Sequence, residues 1–196
     1  MKCVSQNNLR DAKNTLNRGG ILAVPTETVY GLAVKYDNTA AIKKLLTMKD
    51  RSIGSGKVLT MMVADVDDMN KYVIMNRKTT NLERHYFPAE LTLLLPKRRA
   101  FQHPYFDNFE KIGIRIPAHP YMLKLLRETG PLLVTSANPR GEAPCNSSEE
   151  IKERLPEVDL LVEGVSGGNL PSTIIDWTAE KPVSLRQGGL LIVRYA

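Results

Sequence analysis

Long hydrophobic runs are missing from this 196-residue chain: no apolar stretch approaches the roughly 18 to 20 residues that cross a bilayer. The longest, Leu91 to Leu95 and Leu190 to Val193, have the length of strands, so no membrane partner is expected. Cysteine is scarce. Cys3 and Cys145 are the only two, far apart and without a CxxC spacing, which excludes a disulfide framework and a cysteine-built zinc site. Lys2 is not followed by an apolar core, so a secretory signal is not expected, and the expected compartment is the reducing cytoplasm. The three histidines, His85, His103 and His119, show no ligand spacing, and no protein-built metal site is indicated.

The common nucleotide motifs are missing too. Gly54-Ser55-Gly56-Lys57 has the look of a phosphate-loop tail, but Arg51 stands where that motif demands glycine and Val58 where it demands Ser or Thr. No GxGxxG follows a strand. Ser136 lies in Val134-Thr135-Ser136-Ala137-Asn138 rather than in a nucleophile elbow, which argues against a hydrolase triad.

What is present is an ordinary globular composition, 42% hydrophobic and 24% charged, at the length of one domain over residues 1–196. Twenty-seven Lys and Arg against 21 Asp and Glu leave a net charge of +6. That favours an anionic partner, although it falls short of the charge density of a dedicated nucleic-acid arm.

Strand-sized apolar runs alternate with helical periodicity. Leu9, Ala12 and Leu16 predict a helix ended by Gly19-Gly20; Ile21 to Val24 and Leu32 to Val34 read as strands; Ile42, Leu45 and Leu46 predict a helix over 39–48. Further strands are predicted at 58–63, 91–95, 112–116, 132–134, 160–162, 172–176, 183–185 and 190–193. Helices are predicted within 65–87, around Tyr121 to Leu126, and from a Ser147/Glu150 capping box to Leu155. The expected fold is one α/β domain, with helices flanking a mixed sheet of about seven strands. The unpatterned segment 97–110 reads as a lid or rim.

Polar residues collect where strands run out. Pro25-Thr26-Glu27-Thr28-Val29-Tyr30-Gly31 is either a turn whose hydroxyls cap local backbone or a grip on a small polar ligand. Lys49, Arg51 and Lys57 put three cations on one loop, readable as a solvated basic loop or as an anion site. Arg115, set among apolar residues inside a strand, either pairs with a buried acid or binds an anion. Thr135-Ser136-Ala137-Asn138, Ser172 to Asp176 and Arg186-Gln187-Gly188 add small donors and a further guanidinium at strand ends. Such a set is expected of a cleft for phosphate and carboxylate groups.

These segments, in this order and over about residues 5 to 190, resemble the YrdC-like family of L-threonylcarbamoyladenylate synthases. The resemblance implies a twisted mixed α/β sheet around a deep basic cleft. It also implies a reaction in which L-threonine, bicarbonate or carbon dioxide, and ATP give threonylcarbamoyl-AMP and pyrophosphate. The product would supply adenosine modification in tRNA, with tRNA met indirectly or weakly and the transfer made by separate threonylcarbamoyl-transfer proteins.

By resemblance, Lys49, Arg51, Ser136 and Asn138 match the family's catalytic tetrad, and Arg51, Lys57, Ser136 and Arg186 fall at ATP-binding positions. Thr28, Arg115, Val134 and Ser172 fall at the L-threonine site. Mg²⁺ is expected to arrive on ATP rather than on protein ligands. The chain departs from the family pattern at Ser52, in a 52–56 loop about two residues longer, and at Pro88-Ala89-Glu90-Leu91-Thr92, which keeps Thr92 but loses two turn residues. Two further readings stay open: a non-catalytic RNA-binding protein of the same fold, and a paralogue forming a related carbamoyl-adenylate.

Overall fold

A computed structural model describes residues 1–50, 59–76, 84–179 and 181–192. The first half runs β1 (Lys2–Val4), α1 (Leu9–Asn17), β2 (Leu22–Val24), β3 (Gly31–Lys35), α2 (Thr39–Met48), β4 (Thr60–Met62), α3 (Val66–Tyr72) and β5 (Leu91–Pro96). It continues with β6 (Lys111–Arg115), α4 (Pro120–Thr129), β7 (Leu132–Ser136), α5 (Ser148–Arg154), β8 (Leu160–Val162), β9 (Thr173–Asp176) and β10 (Val183–Arg186).

The strands form one mixed sheet in the order β1-β8-β2-β3-β7-β4-β6-β5-β9-β10. It has ten strands among the described residues, not about seven. Part of the excess is β1, whose run Lys2-Cys3-Val4 is too short and too polar to signal a strand and is recruited only by parallel pairing with β8. The predicted strand at 190–193 is not one where it is described, at 190–192. There the Leu190 carbonyl accepts instead from the side chains of Thr173 and Gln187.

Local chemistry explains the helices. The Asn38 side chain accepts from Ala41 N–H at 3.0 Å to start α2, and α4 opens on Pro120 and closes on Gly130 at φ 75°. Ser147 accepts from Glu150 N–H as its capping box predicts, but the Glu150 carboxylate reaches Asn146 N–H, one residue before the cap.

Two-residue alternation distributes the strands between two layers. Ile21, Leu32, Met61, Leu93, Ile114 and Leu133 enter one core with α2, α3 and α5. On the opposite face Leu22, Ala33, Met62 and Val134 pack against Leu16 of α1 and Met122 and Leu125 of α4. That second covering stops short of β5, β6 and β9. The residues of those strands that alternate with the first core, including Thr92, Gly113, Arg115 and Ile174, are therefore left facing a cleft.

The 97–110 segment is not a loose flap. Tyr105 and Phe106 are buried, and Phe101, His103, Tyr36 and Tyr72 stack or meet edge-on around them. His103 accepts from Tyr105 N–H at Nδ1, so its Nε2–H donates to the Tyr36 carbonyl and both ring nitrogens are engaged. Only Phe109, at the far end, reaches the cleft, as part of its rim.

Candidate functional site

The cleft has a volume of about 1140 Å³. Thr28, Lys49, Arg115 and Val134 line it, as do Ser136, Asn138, Ser172 and Arg186, so folding brings together eight of the ten residues singled out from sequence. The other two, Arg51 and Lys57, lie outside the described residues.

One wall is a turn held by a buried cation. Lys49, the C-cap of α2, is 1% exposed. Its ammonium donates to Ser136 O at 3.1 Å, to Asn138 Oδ1 at 3.0 Å and to Asn138 O, so these carbonyls satisfy a charge that would otherwise be prohibitive to bury. Ser136 Oγ donates to the same Asn138 Oδ1 at 2.7 Å, while Asn138 Nδ2 donates to Pro139 O and Glu142 O. Every polar atom of the Asn138 side chain is thereby engaged, and the turn after β7 has one conformation.

Two guanidiniums also line the cleft. Arg115, at the end of β6, is 4% exposed; its Nη2 donates to Glu27 Oε1 at 2.7 Å and to Thr28 Oγ1 at 3.2 Å. Arg186, at the end of β10, donates through Nε to Ser172 O at 2.9 Å and through Nη2 to Ser172 Oγ at 3.1 Å. Ser172 Oγ in turn shares a hydrogen bond of 2.9 Å with Thr92 Oγ1. Burial in the cleft, followed by the neighbouring Arg115 charge, lowers the Arg186 pKa, although a guanidinium remains charged at neutral pH.

Backbone closeness shapes the cleft. A Cβ on Gly31 would lie 2.8 Å from Val134 Cγ1, and one on Gly188 would lie 2.1 Å from Pro171 O. Glycine at these positions lets β3 meet β7 and lets the segment after β10 lie against the Ser172 backbone.

Sequence reasoning missed several lining residues. Lys111 ion-pairs with Asp176, which also accepts from Thr178 Oγ1 at 2.6 Å. Counting back in twos from Arg115 through Gly113 would have found Lys111 on the same strand face. Arg140 also lines the cleft and donates to Asp50 O at 3.2 Å; nothing local in sequence marked it. Glu27, which does not line the cleft but pairs with Arg115, lay inside a quoted motif without a role.

Among the described residues no group of three or more His, Cys, Asp or Glu could hold a metal ion. Two carboxylates by the cleft are committed, Glu27 to Arg115 and Asp176 to Lys111. None of the helices among the described residues is long and apolar enough to cross a membrane.

A mixed α/β sheet half uncovered on one face, with two guanidiniums and a hydroxyl- and amide-bearing turn lining the same cleft, defines an α/β protein whose cleft carries donors suited to anionic groups. The profile of the Sua5, YciO and YrdC proteins, described as "Telomere recombination", matches residues 14–188, and the chain belongs to this family.

Threonylcarbamoyl-AMP synthase of Vibrio campbellii is 33% identical over 187 residues, covering 92% of this chain and 99% of that protein. The structure of P. abyssi Sua5 complexed with L-threonine superposes with a TM-score of 0.86 at 27% identity, covering 96% of this chain and 57% of that one. E. coli YciO superposes with a TM-score of 0.84 at 27% identity, covering 96% and 94%.

Proposed function

We propose that the protein is an L-threonylcarbamoyladenylate synthase, joining L-threonine, bicarbonate or carbon dioxide, and ATP into threonylcarbamoyl-AMP with release of pyrophosphate. The observation that carries this reading is that Arg115 and Arg186 line the same cleft as Ser136 and Asn138. Two anion sites in one cleft are what a reaction between a carbamate and a nucleoside triphosphate requires. The relatives named threonylcarbamoyl-AMP synthase and the threonine complex of Sua5 support the choice of substrate.

The chemistry follows from charge and position. The threonine amine, once neutral, attacks carbon dioxide; an N–C bond forms and a proton leaves nitrogen, giving a carbamate. A carbamate oxygen then attacks the α-phosphorus of ATP while the bond from that phosphorus to the bridging oxygen of the β-phosphate breaks, expelling pyrophosphate. Arg115 grips the threonine carboxylate beside Thr28 and Ser172, with the Val134 backbone completing the pocket. Arg186 and Ser136 face the nucleotide phosphates, and Arg51 and Lys57 keep the ATP contacts that the resemblance implies. Lys49 and Asn138 hold Ser136 in register. Such a site accelerates the reaction mainly by holding two anions in line and offsetting their repulsion.

The donor set around the cleft fits Mg²⁺ carried by ATP phosphates and water, because Glu27 and Asp176 are already paired. Bound there, Mg²⁺ would neutralise phosphate charge. In the cytoplasm the product passes to separate transfer proteins that act on tRNA.

The test is to incubate the purified protein with ATP, L-threonine, bicarbonate and Mg²⁺ and to follow pyrophosphate and threonylcarbamoyl-AMP. Threonine-dependent release of both is expected; a folded protein that yields neither refutes the reading. Replacing threonine and bicarbonate by carbamoyl phosphate separates the paralogue reading, and RNA binding that needs no nucleotide and survives Arg51→Ala would favour the RNA-binding one.

A further inference from the structure

Glu27 is the acidic partner of the cleft's buried arginine, and the way the pair is made is incomplete. Its Oε1 accepts two hydrogen bonds, from Arg115 Nη2 and from Ala118 N–H, each at 2.7 Å. Its Oε2 is buried with no hydrogen-bond partner, and so is Arg115 Nε. A fork-to-fork pair would satisfy both atoms. Here the carboxylate touches one corner of the guanidinium, and the remaining N–H groups of Arg115 stay outside the pair.

Two further features show that the contact is held from both sides. Ala118 lies beyond the end of β6, so one carboxylate oxygen ties the turn after that strand to the turn between β2 and β3, 91 residues away in sequence. Behind Glu27, Gly167 and Gly168 approach its main chain so closely that a Cβ on Gly167 would lie 2.9 Å from Glu27 O. Gly167 N–H and Gly168 N–H also donate to Thr26 O and Thr28 O, clamping both neighbours. The Glu27 backbone cannot move without moving these segments. Arg186 stands near enough to Arg115 for the two charges to oppose each other.

We propose that Glu27 is a positioning residue of the amino-acid pocket: it fixes the Arg115 guanidinium at one corner through Nη2 and leaves the Nη1 N–H groups, outside the pair, aimed at a substrate carboxylate. This rests on the reading of the cleft as a threonine site. Glu27 acts only through Arg115. Its loss is expressed in recognition of the carboxylate and not in binding of the nucleotide.

The experiment compares wild type, Glu27→Gln, Glu27→Ala, Arg115→Ala and the Glu27→Ala/Arg115→Ala double variant. Binding of L-threonine, of L-threoninamide (whose carboxyl is uncharged) and of ATP is measured by calorimetry, with thermal melting as the folding control. In Glu27→Ala the affinity for L-threonine is expected to fall about 10- to 100-fold, as for a buried charge left without its partner. The affinity for L-threoninamide should change less than threefold and that for ATP should stay the same. Glu27→Gln, which keeps an acceptor for both donors but not the charge, should fall between wild type and Glu27→Ala.

In the Arg115→Ala background, removing Glu27 should have no further effect on threonine, the signature of one residue acting through the other. Equal losses for threonine, threoninamide and ATP would mean that Glu27 only supports the fold. Additive losses in the double variant would mean that it acts independently of Arg115. Either overturns the proposal, and if Glu27→Ala does not fold, Glu27→Gln decides by the same ratios. Wild-type protein that binds ATP but not L-threonine would instead overturn the threonine reading, and this inference with it.

Discussion

The ammonium of Lys49 donates to Asn138 Oδ1 at 3.0 Å, across 89 residues of sequence, while Ser136 Oγ donates to the same oxygen at 2.7 Å. A cation at the end of one helix thus sets the orientation of an amide and a hydroxyl at the end of a strand. Lys49 has its ammonium turned towards carbonyls of the turn, so its influence on bound anions runs through the groups it aligns as well as through its charge.

Lys49→Met keeps the apolar stem but removes these donors. The Ser136 and Asn138 main-chain carbonyls then lose this donor in a half-buried place while Asn138 Oδ1 keeps only Ser136 Oγ, and the expected destabilisation is about 1 to 3 kcal/mol, read by urea denaturation. Product formation should fall about 100-fold, the usual consequence of misplacing reacting groups by an ångström, even at temperatures where the variant remains folded.

Gly188→Ala tests the backbone closeness around Ser172. The added methyl would sit 2.1 Å from Pro171 O and 2.5 Å from Thr173 N, both main-chain atoms that cannot swing aside. Overpacking of this kind costs about 2 to 3 kcal/mol. Because Ser172 must move with its neighbours, the Arg186 contacts should break, and calorimetry should show ATP affinity falling about tenfold.

His119 links stability to pH. Burial disfavours its charged form and lowers its pKa below the ordinary value, with the Glu27 charge opposing in part, and its Nδ1 is buried with no hydrogen-bond partner. The folded state therefore binds a proton less readily than the unfolded one. The stabilisation is complete above the unfolded value of about 6.5 and is lost as pH falls towards the lower folded value. Melting temperature should drop between pH 7 and pH 5, and His119→Gln should flatten that dependence.

Asp159 gives a second window at lower pH. Burial acts against its carboxylate, but the Lys44 ammonium at 2.7 Å and the Ile21 N–H at 2.7 Å prevail and hold its pKa below the ordinary value. Its contribution is present above about pH 3.9 and disappears as pH falls through the folded value. Asp159→Asn should therefore lower stability by about 1 kcal/mol at pH 7 in urea denaturation, with the difference shrinking at pH 3 and below.

How much of this was legible in sequence depends on the range of the interaction. The 39–48 helix matches its predicted ends because Asn38 and the Ile42/Leu45/Leu46 stripe act within a turn or two. Ser147 was recognisable as a cap for the same reason. Lys2–Val4 was not, because its strand character comes from pairing with Leu160–Val162 at the other end of the chain. Where it is described, at 190–192, the strand predicted over 190–193 differs in the opposite direction, for apolar character alone does not supply a ladder partner. In the site, Arg115 announced itself as a charge in an apolar strand and its two readings were left open; the structure pairs it with Glu27 and also sets it on the cleft wall. Lys111 was hidden only because the alternation was not followed outward from Arg115.

The sequence by itself determined the α/β class and most of the polar and cationic residues that line the cleft, because periodicity and residue chemistry are local and are written in order. Tertiary structure decided which strand face remained uncovered, and therefore which of those residues share a cleft. It also decided that Glu27 and Arg115, 88 residues apart, form one unit and that Lys49 is buried against carbonyls. Those outcomes depend on where α1 and α4 stop covering the sheet, and that boundary is set by packing among distant segments.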